Sequence, residues 1–156
     1  MAGPMAIEKV GLNHPDAHSL RDAQQAEIDG IRPIGPGMPA TAANVSTFLV
    51  AYRNGLAIAC GGLRSLEYSG LVGTMAMTRM YVMPSERGRS AARHIARALE
   101  ETVRAQGSKF LKVKTSRGMP QARRFYEKSG FRVCKIFGAY RCNEHRVCFE
   151  KSPRQS

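Results

Sequence analysis

Hydrophobic and polar positions recur along this chain with two different periods, and the switches between them mark out its elements. From Ser90 to Gln106 the apolar residues Ala92, Ile95, Ala96, Leu99 and Val103 fall on one helical face, with Arg93, Arg97, Glu100, Glu101 and Arg104 on the others. Gly107 is placed to stop that helix. The stretch KFLKVKT has the period of a strand, Leu111, Val113 and Thr115 facing one way and Lys112 and Lys114 the other. Upstream, TFLVAYRNGLAIACGGLRSLEY predicts a hairpin about Asn54-Gly55, a dipeptide that supplies the positive φ angles of a tight turn. TMAMTRMYVM, Thr74 to Met83, predicts a further strand that Pro84 ends.

The flanks complete the pattern. Ala6 to Val10 reads as a first strand and Asn13 to Ile28 as a helix. The Gly/Pro-rich stretch from Gly30 to about residue 46 predicts a loop, either a plain linker or a substrate-side lid. A third helix is expected from Pro120 to Ser129, with Gly130 as its stop. FRVCKIFGAY and HRVCFEK read as two final strands joined by Arg141 to Glu144, and Ser152 to Ser156 as a frayed end. Hairpins dominate this order, so a mainly antiparallel sheet is expected, with one crossover through the Ser90–Gln106 helix that makes its flanking strands parallel neighbours.

Composition changes the picture little. A chain of 156 residues, 43% hydrophobic and 7% aromatic, is expected to form one domain over 1–156. No apolar run reaches the ~20 residues of a membrane helix, and the start lacks a secretion signal, so a cytoplasmic protein without membrane contact is expected. Cys60, Cys134, Cys142 and Cys148 form no CxxC pair, and His14, His18, His94 and His145 offer no evident ligand set, so no metal is expected. Charge is more informative. The formal net charge is +12, and Arg79 to Arg124 holds 12 basic against 3 acidic residues, a local +9. Such a concentration calls either for an anionic partner or for a solvated basic face that serves solubility.

Its centre is the junction RMYVMPSERGRSAARHIARALE, where strand hands over to helix. The first turn of a helix leaves backbone N–H groups without intrahelical partners, and its aligned peptide dipoles add positive potential. Gly88, Ser90, Ala91 and Ala92 keep bulk away from those donors, while Arg87 and Arg89 add charge. The junction is built like a pyrophosphate cradle, although the same residues also suit an ordinary turn with surface arginines. It is neither a Walker loop nor a GxGxxG dinucleotide turn.

Arg87-Gly88-Arg89-Ser90-Ala91-Ala92 resembles the Q/R-x-x-G-x-G/A signature of the GNAT superfamily of N-acetyltransferases, with Ser90 where glycine is usual. ARRFYEKSGF, Ala122 to Phe131, is similar to that family's A-x-x-L/F-Y-x-x-x-G-F segment, and the closing FGAYRCNEHRVCFEK is similar to the end of a bacterial subgroup. The resemblance covers roughly Phe48 to Lys151. It implies an α+β fold in α/β/α layers, a mixed, mostly antiparallel sheet of six or seven strands whose central strands splay apart. Acetyl-CoA is the implied cosubstrate, its pantetheine arm against the backbone of Met80, Tyr81 and Val82 and its pyrophosphate at Arg87, Gly88, Arg89, Ser90, Ala91 and Ala92.

The implied activity is transfer of acetyl to a primary amine in a ternary complex, without a covalent enzyme intermediate. Tyr126 matches the family's tyrosine that protonates the departing thiolate, and backbone N–H groups near Tyr81 and Val82 would stabilise the oxyanion. The general base is less well defined. Relatives with a comparable strand carry a glutamate at about position 76, which is alanine here, leaving Glu67 or a water chain. Ser90 adds a Cβ and a hydroxyl that either crowd the cradle or cap the helix. The acceptor is expected to be a small amine, with the basic surface favouring an anionic or zwitterionic one over a polyamine. Protein lysine or N-terminal acetylation, and a non-enzymatic domain binding acetyl-CoA or nucleic acid, are the alternatives. Nucleic acid is disfavoured by the absence of a recognition motif. A homodimer is left open.

Overall fold

A computed structural model describes residues 4–29, 45–66, 73–116, 120–134 and 146–152. Among these residues seven strands form one sheet: β1 (Met5–Lys9), β2 (Thr47–Arg53), β3 (Leu56–Ser65), β4 (Thr74–Val82), β5 (Phe110–Ser116), β6 (Arg132–Cys134) and β7 (Arg146–Lys151). Three helices accompany them: α1 (Pro15–Asp29), α2 (Ala91–Ala105) and α3 (Pro120–Lys128). The strand order is β1-β2-β3-β4-β5-β7-β6, antiparallel throughout except for the β4–β5 pair, which the α2 crossover makes parallel. The expected mixed sheet with helices on both faces is what the chain forms. Glu67, residues 30–44, the Arg141–Glu144 connection and residues 153–156 lie outside the described residues.

Element ends differ from the sequence expectation for local reasons. Helix α1 starts at Pro15, not Asn13, because proline biases the residue before it away from helical angles and is itself suited to the first helical position. Helix α2 starts at Ala91, because Ser90 has φ 70° and cannot join it. The β2–β3 turn is as expected, with Asn54 at φ 54° and Gly55 at φ 78°.

The two faces of the sheet have separate cores. Leu63, Met75, Met77, Leu111, Val113 and Phe149 pack against Ile95, Leu99 and Val103 of α2 and Tyr126 of α3. Ala17 and Leu20 of α1 pack on Phe48, Val50 and Cys60 on the other face. Ala91, not Ala92, completes the buried stripe of α2, and Glu100, expected on a polar face, is buried with it. Its carboxylate accepts a hydrogen bond from Lys151 Nζ at 3.1 Å, which ties the last strand to α2. At Gly61 a Cβ would run into Met80 Sδ and Ile95 Cγ2, so glycine there lets β4 and α2 close onto β3.

The parallel pairing in this sheet is short. Strands β4 and β5 pair from Thr74–Phe110 to Met77–Val113 and no further. Beyond that point β4 pairs only with β3, through Thr78, Tyr81 and Val82, and β5 pairs only with β7. The sheet is split between its two parallel strands.

Candidate functional site

The split has an irregular edge. Arg79 has φ 57°, and the β3–β4 register slips between Cys60 and Gly62, so β4 bulges just where it leaves β5. A bulge re-aims backbone groups. Here Met80 O accepts a 2.9 Å hydrogen bond from Gln24 Nε2 of α1, and Val82 O accepts one of 2.9 Å from Arg87 Nε. After Val82 a single 3-10 turn, Pro84–Glu86, leads into the junction.

Two left-handed residues shape that junction, Gly88 at φ 81° and Ser90 at φ 70°. A Cβ at Gly88 would meet nothing within 4 Å, so its φ is what favours glycine there. The first intrahelical bond of α2 is His94 N–H to Ser90 O, 3.1 Å. The N–H groups of Ala91, Ala92 and Arg93 therefore stand ahead of the ladder. Ser90 makes no side-chain capping bond. A capping serine needs extended backbone angles to bring its hydroxyl over the first turn, and the left-handed turn turns it away.

A cavity of about 1710 Å³ runs from this junction along β4 to α3, and its lining includes Met80, Tyr81, Val82, Arg87 to Ala92 and Tyr126. Ten of the eleven residues singled out in the sequence thus meet around one space. The eleventh, Glu67, is outside the described residues. Shape and chemistry suit a CoA-type diphosphate: a left-handed turn with open space at Gly88, helix-end donors, Arg89 exposed beside them, and a strand edge without a neighbour.

Sequence reasoning missed the contribution of α1. Gln24 and Glu27 line the same cavity. Arg87 Nη2 donates to both Glu27 oxygens, at 2.9 and 2.7 Å, and its guanidinium lies 5.7 Å from the centre of the Tyr81 ring. Arg87 is thus held by α1 at the rim of the cavity. The one available signal was the three-residue spacing of Gln24 and Glu27, which puts both on one helical face.

Tyr126 is 5% exposed, edge-on to Phe125 and Phe131 at 5.3 and 5.6 Å. Burial pushes its phenol above the ordinary tyrosine range, so the hydroxyl keeps its proton at any working pH. Cys60 is a poor acyl carrier, since burial raises its thiol to about 12 and its Sγ donates to Arg79 O at 3.3 Å. Ala76 is 2% exposed and offers no proton acceptor in its side chain.

Comparison with known proteins bears on the family and the fold. The model of the acetyltransferase (GNAT) family matches residues 16–131, and the chain belongs to that family. Over 95 residues it is 36% identical to an IAA acetyltransferase of Azospirillum brasilense, a stretch covering 60% of this chain and 59% of that protein. Solved structures share the fold. A Klebsiella pneumoniae protein described as an acyl-CoA N-acyltransferase superposes with a TM-score of 0.80 at 21% identity, covering 95% of this chain and 97% of the other. A GNAT family acetyltransferase from Elizabethkingia anophelis, solved with acetyl-CoA bound, superposes with a TM-score of 0.68 at 13% identity over 95% and 97% of the two chains.

Proposed function

We propose that this protein transfers an acetyl group from acetyl-CoA to the primary amine of a small molecule, both bound together. The observation that carries the reading is the continuous groove from the α2 N-terminus, along the free edge of β4, to Tyr126. The family membership and the acetyl-CoA held by the Elizabethkingia structure support it.

When bound, acetyl-CoA supplies an acyl thioester whose C–S bond breaks as a C–N bond forms to the amine; the sulfur leaves as a thiol on the proton of Tyr126, and the proton shed by the amine restores that hydroxyl through Glu67 or water. The chain's part is to hold, orient and protonate. Helix-end N–H groups from Gly88 to Ala92, with Arg89, bind the diphosphate. The backbone of Met80 to Val82 orients the pantetheine arm and donates N–H groups where negative charge builds on oxygen. Tyr126 hydroxyl gives its proton to sulfur, its aromatic surroundings keeping water away. Glu67 or water accepts the proton from the amine nitrogen.

Thermal unfolding with acetyl-CoA and with an oligonucleotide, followed by an acceptor screen read as free CoA release, tests this. Acetyl-CoA alone is expected to stabilise the protein. Tyr126→Phe is expected to lower kcat by about a hundredfold or more while leaving acetyl-CoA affinity unchanged. Turnover unaltered across pH would remove Tyr126 from the mechanism, and stabilisation by the oligonucleotide alone would overturn the enzyme reading.

A further inference from the structure

Opposite the face that carries α2, a row of residues crosses five strands at one level. Arg64 of β3 pairs with Ala76 of β4, which pairs with Lys112 of β5, then Glu150 of β7 and Arg132 of β6. Leu63 and Met77 belong to the α2 core, and Gly62 faces Phe48 in the α1-side core, so alternation puts Arg64 and Ala76 on the α1 side. Lys112 is neutralised by Glu150 at 2.9 Å. Arg64 is different. It is 8% exposed, its Nε has no hydrogen-bond partner, and no ion pair among the described residues includes it.

A buried guanidinium without a counter-charge is costly, and arginine is rarely buried unless paired. Position 76, directly across the ladder, could have held a carboxylate but holds a methyl group, so β4 supplies no counter-charge there. Thr78, two residues or about 7 Å further along β4, is where β4 has already parted from β5. This guanidinium, its Nε unsatisfied and without an ion pair among the described residues, therefore sits beside the split, on the face opposite the α2 cradle.

We propose that Arg64 binds the carboxylate of the acceptor, so that the substrate is an amine that also carries a carboxylate, an amino acid or a close relative. This rests on the acetyl-transfer reading above and names its substrate class. The planar fork of arginine matches a carboxylate with two parallel hydrogen bonds. With Lys112 paired to Glu150 and Arg132 exposed to solvent at the sheet edge, Arg64 is the buried cation of the row left to satisfy, which suits a monoanion better than a phosphate. Holding the carboxylate at Arg64 directs the amine toward the split.

The test compares amino acids with their amides and with the decarboxylated amines, in wild type and Arg64→Met. CoA release gives kcat/KM, and unfolding without coenzyme is followed with N-acetyl amino acids and their amides. Wild type is expected to prefer the acids by about ten- to a hundredfold, the range of one or two charge-assisted hydrogen bonds, and mainly through KM. Arg64→Met is expected to erase that preference, to leave acetyl-CoA affinity and the amides unchanged, and to lose the protection that N-acetyl amino acids give wild type. Arg64→Lys, which keeps the charge without the fork, is expected to fall between, and covers the case in which the methionine variant does not fold. Equal rates for acids and amides in wild type would overturn the proposal, as would an equal loss for all acceptors in Arg64→Met. An acid that protects through Arg64 but is never acetylated would sink the acetyl-transfer reading and keep the site. Acetylation of amides and plain amines alone would do the reverse.

Discussion

Single residues hold the cradle in a strained shape, and Ser90 is the clearest case. A non-glycine residue at φ 70° brings its Cβ close to the backbone, at a cost of roughly 1 kcal/mol. An ordinary capping serine returns about 1 kcal/mol through its hydroxyl, but here no such bond forms. Two substitutions therefore separate the effects. Ser90→Gly is expected to raise stability by roughly 0.5–1 kcal/mol, a Tm gain of about 2 °C, because relief of strain exceeds the added freedom of the unfolded chain. Ser90→Ala keeps the strain and loses nothing useful, so it is expected to leave Tm within about 1 °C of wild type. A clear loss in the alanine variant, measured by calorimetry, would mean that the hydroxyl caps the helix after all. Some backbone geometry at this scale was legible in the sequence. Asn54-Gly55 announced its own left-handed turn, since both residue types favour it. Ser90 and Arg79 did not, because neighbouring strands and α2 impose their angles and no local preference betrays them.

Helix α1 shows what local periodicity leaves out. Its existence was legible, and so was the crossover helix α2 with its polar and apolar faces. Its partners were not, because Gln24 meets Met80 at a separation of 56 residues and Glu27 meets Arg87 at 60. Contacts of that range follow from the sheet order. The same limit hid the burial of Glu100, whose partner Lys151 lies on the last strand. The Glu27–Arg87 pair sets an anion at the edge of a site suited to an anionic ligand, its side chains 34% and 40% exposed. Removing the carboxylate should raise the local potential and free Arg87 to turn inward. Glu27→Gln is expected to tighten acetyl-CoA binding about two- to fivefold at low salt. The gain should shrink toward none in 1 M salt, where the screening length falls to about 3 Å. Calorimetric titration at two ionic strengths measures both. Weaker binding in the variant would show instead that Glu27 positions Arg87 for the ligand.

Across the whole molecule, alkali is the condition that sets its buried groups against solvent. The sequence indicated the layered fold, the single parallel crossover and the split, yet left open which of the last two strands joins β5. That choice falls to β7, whose Val147 and Phe149 are buried on the α2 side, while β6 at the edge exposes Val133. Three acidic groups hold their protons above the ordinary range, Cys60 deep in the core and Cys134 and Tyr52 only partly buried, where solvent screening weakens their share. Burial raises Cys60 from 9.0 to about 12 and Cys134 from 9.0 to about 11, and Tyr52 rises from 10.0 to about 12 through burial and the nearby Asp16 carboxylate. In the unfolded chain these groups lose their protons near their ordinary values, while the folded chain keeps them. Between pH 9 and 12 the folded state therefore binds more protons, and its stability must fall as pH rises, by up to about 1.4 kcal/mol per pH unit for each proton difference. Relief of positive self-repulsion works the other way, but weakly, because 17 of the 24 basic residues are arginine and stay charged in that range. Tm is thus expected to be flat from pH 7 to about 8.5 and to drop steadily above pH 9, with a shallower slope in Cys60→Ala. Differential scanning calorimetry across that range decides it, and a Tm held constant to pH 11 would mean that these groups are more open to water than their packing on this face of the sheet allows.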